Sequence, residues 1–348
     1  MKKNQFLLTG GTGWLGQRVA KAITSGLEGL EHRVSSGHSL RCLVPEGEDS
    51  SYLRSLGVEI VVGNVNDDTA LAKFFLNSNG SFLIHLAGII HPPGRAKYFD
   101  LVNFQGCENI IRASKSNGIQ RAVVMSSNSP FGGNPGVDDL FDENSPYNPY
   151  MGYGKSKMKM ERMLFDAIES GHQEIVIVRA PWFYGPGQPP RQTLFFQMVK
   201  DGKFPIIGSG LNKRSMAYVD SLALGILLAS NVPAAKNQAF WIADQRPYSM
   251  NEIISTVKSV LVEDFGINVS SKQLKLPDLV SNTARFVDGA LQECGLYNQK
   301  IHVLSEMNMT IACNIEKARR VLGYEPLVEL REGMRNSIEW CLANNQKI

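Results

Sequence analysis

Cysteine is scarce in this sequence and follows no pattern. The five residues, Cys42, Cys107, Cys294, Cys313 and Cys341, are odd in number and far apart, and no Cys-x-x-Cys occurs. Such usage argues against a disulfide framework and a cysteine-based metal site, and it suits reduced thiols in a cytoplasmic protein. Long apolar runs are missing as well. The longest, Leu222 to Ala229, falls far short of the roughly 20 residues that cross a bilayer, so no membrane span is expected. Met1-Lys2-Lys3 opens like a secretory leader, but the apolar run behind it is three residues, so no leader is expected. The formal charge of +3, with lysines and arginines scattered, gives no field for nucleic acid. Internal repeats and low-complexity tracts are also lacking. The 348 residues suit one large α/β domain, or one with a smaller cap.

Against these absences stands Phe6-Leu7-Leu8-Thr9-Gly10-Gly11-Thr12-Gly13-Trp14-Leu15-Gly16. A short apolar run breaks into a glycine turn. The turn feeds Gln17 to Thr24, where Val19, Ala20 and Ile23 can share a helical face. Strand, glycine turn and helix form the arrangement that holds a dinucleotide pyrophosphate. The glycines let the backbone approach the phosphates, and the helix start offers free N–H groups and its positive dipole end. Gly11, Gly13 and Gly16 satisfy G-x-G-x-x-G, while Gly10, Gly13 and Gly16 satisfy a looser T-G-x-x-G-x-x-G with Thr9 in front.

Strands and helices then alternate. Strands are expected at Leu40–Val44, Val58–Asn64, Phe82–Gly88 and Ala122–Ser127. Helices are expected at Ser50–Leu56, Asp67–Phe75 (capped by Asp67 or Asp68) and Tyr98–Asn117. The near-continuous apolar strands point to a doubly wound parallel sheet covered on both faces. Ser129–Pro149 reads as loop, Tyr150–Ser170 as helix, Glu174–Arg179 as strand and Ala180–Arg191 as loop. Later helices, at Gln192–Lys200, Asp220–Ser230, Met250–Leu261 and Asp278–Gln292, give a smaller α/β substrate domain over the sheet's carboxyl edge. A terminal helix is expected from about Leu330 to Asn344. The division is a dinucleotide-binding domain over 1–180 and a mainly substrate-binding one over 181–348. Segments at about 214–245 return to the sheet. The end of the second strand, Val44-Pro45-Glu46, leaves NAD and NADP both open: Glu46 comes late for a ribose acid, and Arg41 could meet a 2′-phosphate.

Tyr153 and Lys157, four apart on one helical face, form a candidate acid/base pair. An ammonium roughly 5 Å away, at an effective dielectric of about 20, favours phenolate by about 3 kcal/mol, about two pKa units. Tyr153 could then exchange a proton with a secondary alcohol or ketone while hydride moves to or from a nicotinamide. Ser127, at a strand end, can orient the reacting oxygen. His85 and His91 flank the pocket; His85 reads as a satisfied strand-end residue.

Together these features resemble the extended short-chain dehydrogenase/reductase superfamily, in its NAD-dependent epimerase/dehydratase and 3β-hydroxysteroid dehydrogenase-like branch. Thr9–Gly16, His85–Gly88, Asn103–Gly106, Arg179–Gly187, Arg214–Asp220 and Ala318–Pro326 are similar to its motifs in that order. The resemblance implies catalytic Ser127, Tyr153 and Lys157, with Lys157 also on the nicotinamide ribose. It implies NAD or NADP against Gly10, Thr12, Gly13, Trp14, Leu15, Gly16, Asn64, Val65, Leu86, Ala87, Gly88, Asn103, Tyr153, Lys157 and Pro181. Substrate would meet His91, Ser127, Asn128, Trp182, Phe183 and Arg214. It further implies a homodimer through the Tyr98–Asn117 and Tyr150–Ser170 helices.

Departures narrow the reaction. The segment Ser127-Asn128-Ser129-Pro130 lacks the acids that dehydratases and decarboxylases of this superfamily carry there. Pro181-Trp182-Phe183 replaces the asparagine many nucleotide-sugar epimerases use, and its bulk suits a ring or an apolar acyl group. Arg214 matches a phosphate-binding position. The first reading is an NAD(P)-dependent oxidoreductase interconverting a secondary alcohol and a ketone on a fairly apolar small-molecule substrate. The alternatives are a nucleotide-sugar epimerase on retained NAD and a non-catalytic cofactor-sensing protein.

Overall fold

Alternate side chains along the central strands enter two different apolar layers. In β1 (Gln5–Thr9), Phe6 and Leu8 join one core and Leu7 the other. In β5 (Arg121–Ser127), Val123 faces the first layer, and Ala122 and Val124 face the second. β6 (Glu174–Ala180) splits Val176 and Val178 from Ile175 and Ile177 in the same way. A strand buried on both faces must be covered by helices on both, which is why these runs carry almost no polar residues. Each fully buried leucine contributes about 1.5–3 kcal/mol.

The computed structural model describes residues 4–28, 32–171 and 173–348. Its main sheet has seven parallel strands. In space the order is Ala239–Trp241, β6, β5, β4 (Phe82–His85), β1, β2 (Ser39–Val44), β3 (Glu59–Val62). Chain order reverses between β1 and β4, so the crevice at their carboxyl ends is the topological switch point. Helix α1 (Trp14–Thr24) and the helix Val219–Asn231, buried from Val219 to Ser230, cover one face; the Arg18 guanidinium and the Asp220 carboxylate tie them at 2.6 Å. Beyond the short α2 (Ser51–Ser55), the other face is covered by α3 (Asp68–Phe74), α5 (Gly106–Ser116) and α6 (Met151–Glu169). Asp67 caps α3 by accepting from the Thr69 and Ala70 amides.

The remaining chain builds a third apolar cluster. Its members come from the helices Pro190–Lys200, Met250–Ser259 and Leu330–Ala343. Ile311 to Tyr324 instead packs back on the first layer.

Three local readings need correction. Ala180–Arg191 is not all loop: Trp182–Tyr184 pairs in parallel with Met216–Tyr218. The Tyr98–Asn117 helix is not one regular helix. It starts as α4 (Lys97–Phe99), widens into a π turn over Asp100–Gln105, and resumes as α5. The fourth strand stops at His85, so Leu86–Gly88 is loop.

Candidate active site

The glycine turn is shaped by close approach. Gly10 has φ 74°, and a Cβ there would sit 2.7 Å from the Ala87 amide nitrogen at the exit of β4. A Cβ on Gly16 would run into the Gly10 carbonyl oxygen. Helix α1 then begins at Trp14 with no side chain capping it and no acid in its first turn. Its free amides and dipole therefore remain for an external anion, and the cradle fits a dinucleotide pyrophosphate. Leu15 turns into the core, while Trp14 donates from Nε1 to the Pro186 carbonyl at 2.8 Å.

The acid that meets the glycine turn is Glu48, which the sequence reading missed. It follows β2 by four residues, and its carboxylate accepts from the Thr12 hydroxyl of the glycine turn. Arg41 is removed from that role: it pairs with Glu59 at 2.8 Å and donates to the Phe74 and Leu76 carbonyls. Asn64 spends its side-chain oxygen on the Asn66 amide, and Val65 is buried beneath Gly106.

Asn103 lies on the π turn and is fully buried. It accepts from the Ile89 amide at 2.8 Å and donates to the Ile89 carbonyl and the Ser156 hydroxyl. Asn103 thus fastens the loop after Gly88 to α6; π turns frequently mark such sites. His85 bonds Thr9 through Nδ1 at 2.7 Å, and its buried Nε2 has no partner. Burial, aided by the Lys157 charge, pulls its pKa down to about 3 and keeps the ring neutral.

Ser127 ends β5 and Tyr153 opens α6, two residues after Met151, whose φ of 49° is uncommon outside glycine. Burial pushes the Tyr153 phenol up to about 12, although the nearby Ser127 hydroxyl pulls it down. The anticipated Lys157 effect on the phenol is not what this geometry delivers. Lys157 Nζ turns instead to the Met125 carbonyl at 2.9 Å and the Met160 sulfur at 3.6 Å, beneath Gly88. Burial lowers its pKa to about 8. A buried ammonium takes the nearest acceptor available, and here that is backbone.

The base of this group is rigid. Ser126 donates to the buried Glu161 carboxylate at 2.5 Å, and Arg179 closes on the same carboxylate at 2.8 Å. Arg179 is therefore a clamp between β6 and α6. Asn128 accepts from Ser127 at 3.4 Å, and Pro181 is buried beside it.

Over Tyr153 lies a second group. Phe99 and Tyr297 pack against it, and Tyr297 pairs its hydroxyl with His91 Nδ1 at 2.6 Å. Burial, aided by the Arg191 charge, lowers His91 to about 4. Arg214 donates to the Glu306 carbonyl, and burial lowers its pKa. Trp182 and Phe183 are held apart from these: Trp182 donates to Gln192 and packs on Phe195, while Phe183 packs on Trp14 at 4.9 Å. Arg191, Tyr297 and Glu306 were not legible, because no local spacing links them to Tyr153.

Comparison with known proteins bears on the family and the fold. Residues 6–243 match the model of the NAD dependent epimerase/dehydratase family. An uncharacterized protein, y4nL, of Sinorhizobium fredii is 55% identical over 98% of this chain and 96% of its own. UDP-glucose 4-epimerase of Vibrio cholerae is 23% identical over 98% of this chain and 97% of its own. The crystal structure of DesIV, a dTDP-glucose 4,6-dehydratase from Streptomyces venezuelae with NAD bound, superposes with a TM-score of 0.75 at 20% identity, covering 98% of each chain. At that identity it shows the shared fold.

Proposed function

The chain belongs to the NAD dependent epimerase/dehydratase family, and from that premise we propose an NAD-dependent oxidoreductase that interconverts a secondary alcohol and a ketone. The observation that carries the reading is the nearness of the Ser127 hydroxyl and the Tyr153 phenol, with Lys157 one turn further along α6 beneath Gly88 and the Gly10 turn against Ala87. The amides that open α1 would hold the pyrophosphate. Glu48 would accept from a ribose hydroxyl and repel a 2′-phosphate, and Arg41 is already paired, which favours NAD over NADP. Bound NAD supplies the site that takes or gives hydride. Tyr153 takes the substrate hydroxyl proton as hydride leaves the carbinol carbon, or returns it in reduction. Ser127 orients that oxygen. Lys157, given an acceptor other than Met125 in the crevice, regains a firm positive charge and lowers the phenol. Asn103 is a positioning residue that fixes the loop beneath. Tyr153→Phe should cut turnover by about 10³-fold while NAD still binds by calorimetry. An active variant contradicts the assignment.

A nucleotide-sugar epimerase on retained NAD is the second reading. Half-buried Arg214, which spends one nitrogen on the Glu306 carbonyl and could offer the others to a phosphate, favours it. Protein purified with bound NAD that also binds a UDP-sugar supports it; protein that does neither excludes it. Either reading includes a homodimer through the faces of α5 and α6, to be checked by light scattering.

A further inference from the structure

The helices Asp278–Glu293 and Gln299–Glu306 are packed inside out. Their buried side chains are mostly polar: Ser281 and Asp288 on the first, His302 and Ser305 on the second. Polar contacts join them to each other and to the body. His302 Nδ1 meets Asp288 at 2.7 Å, Ser281 donates to the Leu304 carbonyl at 2.8 Å, and the Gly152 amide of α6 donates to Gln292 at 2.8 Å. The outward face is apolar. Phe286 is 79% exposed and Leu279 71%, joined by Val287, Leu296 and Val303. A groove of about 490 Å³ runs between the helices, lined by Leu279, Val280, Ala284, Val287 and Leu304. A helix of a water-soluble surface is normally arranged the other way.

Charge identifies the occupant. Exposed Lys275 and Lys300 stand beside the apolar face, and Arg95 and Lys97 adjoin Leu296 through the Arg95–Leu296 bridge. Against these four cations the same segments expose the carboxylates of Asp278 and Glu293. A second copy placed across a twofold axis would set this basic rim against itself. An anionic lipid surface matches both features at once. We propose that this hairpin docks on anionic membrane, with Phe286 and Leu279 entering the headgroup–acyl boundary and the cations meeting lipid phosphates. Attachment is peripheral, since among the described residues no helix is long and apolar enough to cross a bilayer. Tyr297, which follows Leu296 in sequence, packs in the cluster with Tyr153, so docking carries the crevice to the lipid surface. The proposal does not rest on the catalytic reading.

The full chain is sedimented with vesicles of phosphatidylcholine, with and without phosphatidylglycerol, at low and high salt. Wild type should bind only the anionic vesicles, and salt should weaken binding. Leu279→Ser/Phe286→Ser should bind at least about tenfold more weakly with an unchanged melting temperature. Lys275→Glu/Lys300→Glu should lose the preference for phosphatidylglycerol. Wild type that stays in the supernatant overturns the proposal, as does undiminished binding by both variants. Conversion of a dimer to monomer by Leu279→Ser/Phe286→Ser, seen by light scattering, would make the face a protein interface and overturn it too.

Discussion

The sheet and the 278–306 hairpin are held by opposite chemistries. In the sheet, apolar side chains are sealed between helices, and most polar groups sit near strand ends, as Ser127 and Thr9 do. In the hairpin, polar side chains make the inner contacts and apolar ones face outward. Hydrophobic burial is non-directional and sums over a large area, so the sheet behaves as one cooperative unit. A hairpin fastened by a few directional contacts opens more easily on its own. The rigid part fixes the reacting groups, and the looser part covers Tyr153 from above.

The largest expected contrast comes from two buried carboxylates. Glu161→Ala strands Arg179 and Ser126 inside the rigid part and should lower global stability by about 3–5 kcal/mol in urea unfolding. Asp288→Ala strands His302 in the hairpin. There the chain can open locally, so proteolysis near 290–300 should quicken while the global transition moves far less. Equal global losses would erase the distinction.

Asp244 gives an intermediate effect that depends on pH. Burial pushes its pKa from the model-peptide value of 3.8 up to about 7, against hydrogen bonds from the Tyr218 amide and the Tyr184 hydroxyl. A carboxyl whose pKa is higher folded than unfolded binds more protons in the native state between those values. Stability should therefore fall as pH rises from about 4 to 7, by up to about 1.4 kcal/mol per unit. Asp244→Asn should flatten that slope in urea titrations, and an unchanged slope would point to other groups.

The smallest effect belongs to Phe286. Its replacement by Ser should change stability by less than about 0.5 kcal/mol, because the ring is already in water. Leu164→Ala, in the sealed layer, should cost about 2–5 kcal/mol. Similar costs at both positions would mean that the hairpin is packed like the core.

Legibility in the sequence follows the same division. The glycine turn and the alternation of strands and helices could be read because contacts within a few residues dictate them: Gly16 faces Gly10, and Asp67 caps its own helix. The positions of Ser127 at the end of β5 and of Tyr153 and Lys157 four apart on one helix could be read from spacing and from strand and helix ends. The π turn carrying Asn103 could not, since one extra backbone residue per turn leaves no mark in side-chain periodicity. Trp182–Tyr184 is too short for a strand pattern to show. Glu161 with Arg179, and Asp288 with His302, meet only after separate elements pack. The apolar residues of Asp278–Gln292 read from the sequence as capping the substrate domain, or else as lining a lipophilic pocket or touching a membrane, and their outward direction is set by the polar contacts on the other side.

The account stands on Tyr153 becoming a usable acid/base once NAD is in place. Ultraviolet difference titration of wild type against Tyr153→Phe, with and without NAD, reads the phenolate itself. Without NAD, Tyr153 should show no ionisation below about pH 10; with NAD its pKa should fall by about two units or more. A phenol that titrates at the same pH in both conditions would contradict the account.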